Sequence, residues 1–163
     1  MPLKIYETTL TSKTNRKDGD ASMPNVVISH YGIQGKECPH FTATRENLLK
    51  VVDRMAPKFA TLGIEISLEY RGMEDLDENR PMHNLITLEA PGEVPETSLE
   101  SLTGLVIEYE PCESLGRCRA LVMESAKFQE VPTGLVMDGL VRMSMRLIGG
   151  CSSDGCGSCS CCH

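Results

Sequence analysis

Ile64-Glu65-Ile66-Ser67-Leu68-Glu69-Tyr70 alternates apolar and polar side chains without a break, directly after Leu62-Gly63. Successive side chains of a strand point to opposite faces, so this pattern predicts a strand with one buried and one wet face. On its N-terminal side, Leu48, Val52, Met55, Phe59 and Leu62 recur at spacings of four and three. That places them on one face of a helix, which Thr42 or Thr44 can cap and Gly63 stops. Pro57 deletes the amide that would bond to Asp53, so the helix is expected to kink or break there. Before the helix, the β-branched run Val26-Val27-Ile28-Ser29 predicts a first strand, followed by a loop from His30 to His40 that carries Cys38. Strand, helix, strand in this order implies a right-handed parallel crossover.

On the C-terminal side, Glu74-Asp75-Leu76-Asp77-Glu78 lacks the glycine turn and ligand spacing of a calcium loop and reads as a solvated connection. Leu85-Ile86-Thr87-Leu88 reads as a strand and Ala90 to Pro95 as a turn or loop. Leu105 to Tyr109 and Ala120 to Met123 are two further strands, joined by a connection that holds Cys112 and Cys118. Thr133 caps a second helix, whose Leu135, Val136, Leu140, Val141, Met143, Leu147 and Ile148 cover more than half the circumference before Gly149-Gly150 ends it. Short connections between the later strands imply antiparallel additions. The expected fold is therefore α/β, a thioredoxin-like sandwich with a mixed sheet and flanking helices.

Three parts follow from composition. Residues 1–25 read as a flexible N-terminal arm, a brief alternating piece at Leu3-Lys4-Ile5-Tyr6 followed by the polar run from Thr11 to Asp20. Residues 26–148 form the domain. Residues 149–163 form a cysteine-rich tail with no apolar side chain to bury, expected to be mobile unless something binds its sulfurs. A length of 163 residues suits one domain plus tails. The net charge of −7 argues against nucleic acid or an anionic membrane as partner, since both need a basic footprint. No apolar run approaches the ~20 residues of a spanning helix, and Met1-Pro2-Leu3-Lys4 lacks a secretory core, so a cytoplasmic protein is expected. Of the eight cysteines, five lie between Cys151 and Cys162, which points to reduced thiols rather than a disulfide framework. With no Trp and few other aromatics, the nine Met read as core packing.

The chemistry therefore rests on sulfur. Cys38 lies where the first helix begins, a place whose dipole and free amides suit a negatively charged sulfur, with His40 two residues on. It is a candidate nucleophile or soft-metal ligand, against the plainer reading of a half-buried thiol. Cys112 and Cys118 can bond to each other, give two thiolates to a metal, or resolve an oxidised Cys38. In a thioredoxin-type sheet some loops approach the first helix, so by fold analogy all three sulfurs converge into a site that lacks one ligand. The tail offers Cys151, Cys156, Cys159, Cys161, Cys162 and His163. Cys156-Gly157-Ser158-Cys159 has the spacing at which one turn presents two sulfurs to one metal. Dense thiols suit zinc, copper(I), mercury, arsenic or an iron–sulfur cluster. No phosphate-binding glycine loop, nucleophile elbow or His-Glu-x-x-His pair is present, and His30 and His83 read as isolated structural or surface residues.

Cys38 before a helix, Leu62-Gly63-Ile64-Glu65-Ile66-Ser67-Leu68, Asn84-Leu85-Ile86, the cysteines at 112 and 118, and Val131-Pro132 before the last helix together resemble a thioredoxin-like family of small cysteine-rich proteins, catalogued as domain of unknown function 2703. The resemblance covers roughly residues 26–148. It implies a fold and a cysteine arrangement, and brings no established activity. Two departures stand out. Thioredoxin-like redox enzymes carry Cys-x-x-Cys at the first helix, whereas this chain has Cys38-Pro39-His40-Phe41, which excludes a dithiol reaction confined to that loop. The tail after Gly150 is an addition to the shared domain.

Two functions are expected. The first is binding of a thiophilic metal or iron–sulfur cluster through Cys38, Cys112 and Cys118 with tail cysteines, for sequestration, delivery or electron transfer. The second is thiol–disulfide or sulfur-transfer chemistry with Cys38 as nucleophile. In either case the partner is a metal- or thiol-exchange protein.

Overall fold

The computed structural model describes residues 7–10, 23–36 and 38–149. Its elements are β1 (Glu7–Leu10), β2 (Asn25–Ile33), α1 (Pro39–Thr61), β3 (Glu65–Met73), β4 (Ile86–Ala90), β5 (Val94–Ser98), α2 (Leu99–Thr103), β6 (Val106–Cys112), β7 (Gly116–Met123), β8 (Ala126–Phe128) and α3 (Thr133–Gly149), with a 3-10 turn at Arg80–Met82. One sheet has the strand order β1-β3-β2-β4-β5 and a second has β6-β7-β8. β2 and β3 run parallel, with Val26 opposite Ile66 and Ile28 opposite Leu68. β1, β4 and β5 join the same sheet antiparallel. The protein is thus α/β, with a mixed sheet and flanking helices, consistent with the thioredoxin-like sandwich expected from its strand–helix–strand order.

The alternation in β2, β3 and β4 sends Val26, Ile28, Ile66, Leu68, Ile86 and Leu88 to one face of the sheet, where they meet Leu48, Val51 and Phe59 of α1 and Val136, Leu140 and Met143 of α3. Each fully buried side chain of this size stabilises the fold by about 1.5–3 kcal/mol. α3 closes against α2 at Gly139, where an added Cβ would lie 2.4 Å from Leu99 Cδ1. Glycine is the residue that lets the two helices approach so closely.

Several boundaries differ from the sequence reading, each for a local reason. α1 begins at Pro39 rather than after Thr42 or Thr44, because Pro at the first helical position needs no amide partner. The helix also passes through Pro57 and ends at Thr61, with Gly63 taking the left-handed conformation (φ 75°) that closes it. Leu62 is therefore outside the core and 62 % exposed. Val94-Pro95 opens a strand where a loop was expected, and β5 tolerates the proline because it lies at the sheet edge. β6, β7 and β8 form their own sheet instead of extending the first. Within the stretch read as an arm, Glu7–Leu10 pairs with the outer edge of β3, Thr8 opposite Tyr70. Among the described residues, no helix is long and apolar enough to cross a membrane.

Candidate thiol site

β2 and β3 are parallel and α1 follows β2, so the C-terminal ends of both strands lie where α1 starts. Cys38 is the N-cap there, with extended backbone (φ −128°, ψ 127°), and its carbonyl accepts the Thr42 amide at 3.1 Å. Its side chain is turned inward and only 3 % exposed. It packs with Ile33 and Met73, the last residues of β2 and β3, and with Leu115 and Cys118 of the small sheet. Phe41, Met82 and Cys112 border the same cluster.

The small sheet brings the other two sulfurs. In the β6–β7 hairpin Cys112 faces Gly116 and Glu110 faces Cys118, so the two cysteines flank the tight turn that Gly116 closes with a φ of 78°. They are joined as a disulfide with Cα atoms 5.7 Å apart. Cys118 is buried, whereas Cys112 is half-buried, its Sγ 3.8 Å from Ser114 Oγ. A cleft of about 500 Å³, lined by Cys38, Pro39, His40, Pro111, Cys112 and Ser114, opens over the site.

The three sulfurs expected to converge do share one cluster. Their state differs from the expected reduced thiols: Cys112 and Cys118 are bonded to each other, and Cys38 is the one free cysteine among the described residues. The hairpin register explains this, since it sets the two cysteines diagonally across the ladder, Cys112 opposite Gly116 and Cys118 opposite Glu110, with their Cα atoms 5.7 Å apart. Among the described residues no group of three or more His, Cys, Asp or Glu is arranged to hold a metal ion. Cys151, Cys156, Cys159, Cys161, Cys162 and His163, the tail ligands expected from sequence, lie outside the described residues.

Behind Cys38 stands a polar support that the sequence did not reveal. Phe41, in the first turn of α1, stacks on His30 (centroids 4.2 Å apart, planes 13°) and on His83 (5.0 Å, 24°). The Ile33 amide donates to His83 Nδ1 at 3.0 Å, so the proton of that ring is on Nε2. His30 Nε2 bonds Asn84 Oδ1 at 2.8 Å, and because that oxygen only accepts, His30 carries its proton on Nε2. The Asn84 amide group donates to the Gln129 carbonyl at 2.9 Å and to Thr44 Oγ1 at 3.3 Å. Thr44 Oγ1 also accepts the Val131 amide at 3.1 Å and donates to the His40 carbonyl at 2.7 Å. Asn84 can hold this hub because it tolerates the left-handed backbone found there (φ 67°).

Both imidazoles are neutral. Burial pushes His30 down to about 4, with His83 and Arg45 adding to the effect and the Asn84 bond opposing it. Burial lowers His83 as well. Their remaining nitrogens, His30 Nδ1 and His83 Nε2, are buried without a hydrogen-bond partner among the described residues. Of the structural or surface places that their isolation in sequence suggested, both rings take a buried one. Asn84 was legible only as part of the Asn84-Leu85-Ile86 stretch, and Thr44 only as a candidate helix cap. Nothing local marks them as partners, because their contacts come from three distant segments.

Residues 25–140, well over half of the chain, match the family described as Domain of unknown function (DUF2703). The chain belongs to that family. The DUF2703 domain begins with β2, ends within α3, and contains Cys38, Cys112 and Cys118 together. β1 and the tail fall outside the match. No curated protein and no solved structure matches the chain.

Proposed function

We propose that this DUF2703 protein is a thiol–disulfide exchange protein, with Cys112–Cys118 as its redox couple and Cys38 as the nucleophile beside it. The observation that carries this reading is the packing of a free thiol, Cys38, in the same buried cluster as a bonded cysteine pair. The cleft gives a substrate access to Cys112, the half-exposed sulfur.

The chemistry balances as follows for a partner protein carrying a dithiol. One substrate thiolate attacks Cys112 Sγ, the Cys112–Cys118 bond breaks, and Cys118 leaves as a thiolate. The second substrate thiolate then attacks the substrate sulfur of the mixed disulfide and expels Cys112. Two electrons pass to the pair, and the two protons lost by the substrate end on Cys112 and Cys118. Attack of Cys38 on Cys118 Sγ instead moves the bond to Cys38–Cys118 and releases Cys112 as a thiolate into the cleft, an isomerisation with no net electron transfer. Such pairs cycle in the cytoplasm, where disulfides are transient and catalytic, and we place the protein there.

The test is equilibration with defined ratios of reduced and oxidised dithiothreitol, followed by thiol trapping and mass spectrometry. Cys118→Ser, which removes the sulfur needed by both Cys112–Cys118 and Cys38–Cys118, is expected to abolish the two-thiol change, and Cys38→Ser to slow exchange while leaving the equilibrium potential of the pair in place. Exchange at the wild-type rate by Cys118→Ser sinks the reading.

The same convergence favours a second reading. Reduction of the pair would put three thiolates in one cluster, a set suited to zinc, copper(I), mercury(II), arsenic(III) or an iron–sulfur cluster. The metal would then be cargo passed to or from an exchange partner. Retention of a soft ion after desalting by the reduced wild type, and its loss in Cys38→Ser, is the expected result. Equal retention by both excludes Cys38 as a ligand.

A further inference from the structure

We infer that the exchange substrate is an extended polypeptide segment lying along α1, with a basic side chain beside its thiol and an acidic one about six residues away. The inference rests on the thiol–disulfide reading of Cys112–Cys118 and names the class of partner that this site takes.

The cleft over Cys112 is one end of a longer groove. A second cleft, of about 710 Å³, shares His40 with it and includes Glu110, which precedes Cys112 on β6. A third, of about 290 Å³, shares Asn47 and Thr133 with the second and adds Lys50, Arg54 and Met137. The three follow one another along α1, which forms one wall from His40 to Arg54. The facing wall is the small sheet near Cys112 and the start of α3 at the far end. Asn47 ties the walls together midway, its Nδ2 donating to the Val131 carbonyl at 3.1 Å and to Glu130 Oε1 at 3.2 Å.

At 1.5 Å per residue, the α1 wall from His40 to Arg54 is about 21 Å long. An extended chain advances about 3.3 Å per residue, so about six residues span it. A small dithiol at Cys112 touches one end only. Along the groove, Phe128, Pro132 and Met137 offer apolar contact, and the side chains of Asn47, Gln129 and Thr133 carry groups that can pair with a peptide backbone.

The charge of the groove changes sign along its length. Glu110, Glu113 and Glu130 line the half nearer the disulfide. Lys127 lines the same half, but its ammonium is held between Glu108 (2.5 Å) and Glu110 (2.7 Å). The far end presents Lys50 and Arg54, both exposed, and no acidic side chain among its described lining residues. Every second side chain of an extended segment faces the same way, so a lysine two residues from the substrate thiol lies about 6.6 Å on, the same step that separates Cys112 from Glu110. An acid six residues from the thiol then reaches Lys50 and Arg54. The opposite order of charges sets like against like at both ends.

The test uses the full-length oxidised protein and reduced seven-residue peptides with blocked termini. Each has cysteine at one end, lysine at the third position from it and glutamate at the seventh, in both chain directions, beside counterparts with the two charges exchanged. The peptide thiolate attacks Cys112 Sγ, the Cys112–Cys118 bond breaks, and the peptide's proton ends on Cys118. Acid quenching and peptide mass spectrometry follow the mixed disulfide at Cys112. In one chain direction the matched peptide is expected to react about tenfold faster than its exchanged counterpart, a modest ratio because the pairs are exposed. The ratio should shrink at about 1 M salt, where charges are screened within ~3 Å. Lys50→Glu with Arg54→Glu is expected to turn the choice at the seventh position toward lysine. Equal rates for matched and exchanged peptides in the wild type, or a choice that the double substitution leaves as it was, would overturn the inference. Wild-type exchange with dithiothreitol is read in parallel. Its absence would overturn the thiol–disulfide reading itself, whereas dithiothreitol exchange without any choice among the peptides overturns the groove assignment alone.

Discussion

Cys38 and Cys118 pack into one buried cluster although one caps α1 against the large sheet and the other belongs to the central strand of the small one. The two sheets are thus joined at their sulfur-bearing ends. This joint sets the order in which reagents reach the thiols. Native, oxidised protein treated with iodoacetamide should leave Cys38 unmodified, because alkylation needs an approach that a 3 % exposed side chain denies. After mild reduction Cys112 should label first, since it is half-buried and borders the cleft, and Cys118 later. Peptide mass spectrometry over time reads the order, and rapid labelling of Cys38 in the oxidised protein would contradict the packing.

Gly32 is a second point of tight fit. A Cβ there would stand 2.7 Å from the Phe41 ring and 3.0 Å from Tyr70 Oη. The ring has little room to step aside because it is stacked on both His30 and His83. Gly32→Ala should destabilise the fold by about 1–3 kcal/mol through overpacking. Adding Phe41→Leu should recover part of that loss, so that the double variant is more stable than the sum of the two singles. Urea denaturation of the four proteins measures the coupling.

The course of the fold from β2 through α1 to β3 was readable because each element obeys its own period and the signals are local. Cys38 was readable as a helix-start residue for the same reason. What escaped was set by distant partners. Thr44 looked like a cap, but Pro39 had already started the helix, which left the Thr44 hydroxyl free to accept from Val131, far along the chain. Leu62 fits the apolar face by spacing, yet it sits past the last helical residue and faces solvent. The Cys112–Cys118 bond was one of three open possibilities. The hairpin register that decides among them depends on where the turn falls, and Gly116 sets that only in the folded hairpin.

Thr44 gives a third prediction. Valine has its shape without its hydroxyl, so Thr44→Val removes the acceptor for the buried Val131 amide and for Asn84 while keeping the packing. Leaving a buried donor unpaired costs about 1–3 kcal/mol. The loss should appear in urea denaturation and as faster hydrogen exchange at Val131, the residue through which the stretch before α3 is tied to α1. Unchanged exchange at Val131 would show that the bond does not hold that stretch.

His30 supplies the pH dependence. Its ordinary value is 6.5 and burial lowers it to about 4, so the fold holds the neutral imidazole. Between those values the unfolded chain binds a proton that the folded chain does not. Stability from this group is therefore complete above about pH 6.5 and falls as pH drops toward 4, by roughly 3 kcal/mol over the whole window. His83 is lowered too and acts in the same direction. His30→Gln retains a donor for Asn84 Oδ1 but does not titrate, so it should be less stable than wild type near neutrality, having lost the stack on Phe41, and should flatten the dependence. Urea midpoints between pH of about 7 and about 5 measure both slopes. An undiminished slope in His30→Gln would assign the acid sensitivity to another group. A flattened one would tie it to the ring that backs Phe41, and through Phe41 to the cluster that encloses Cys38.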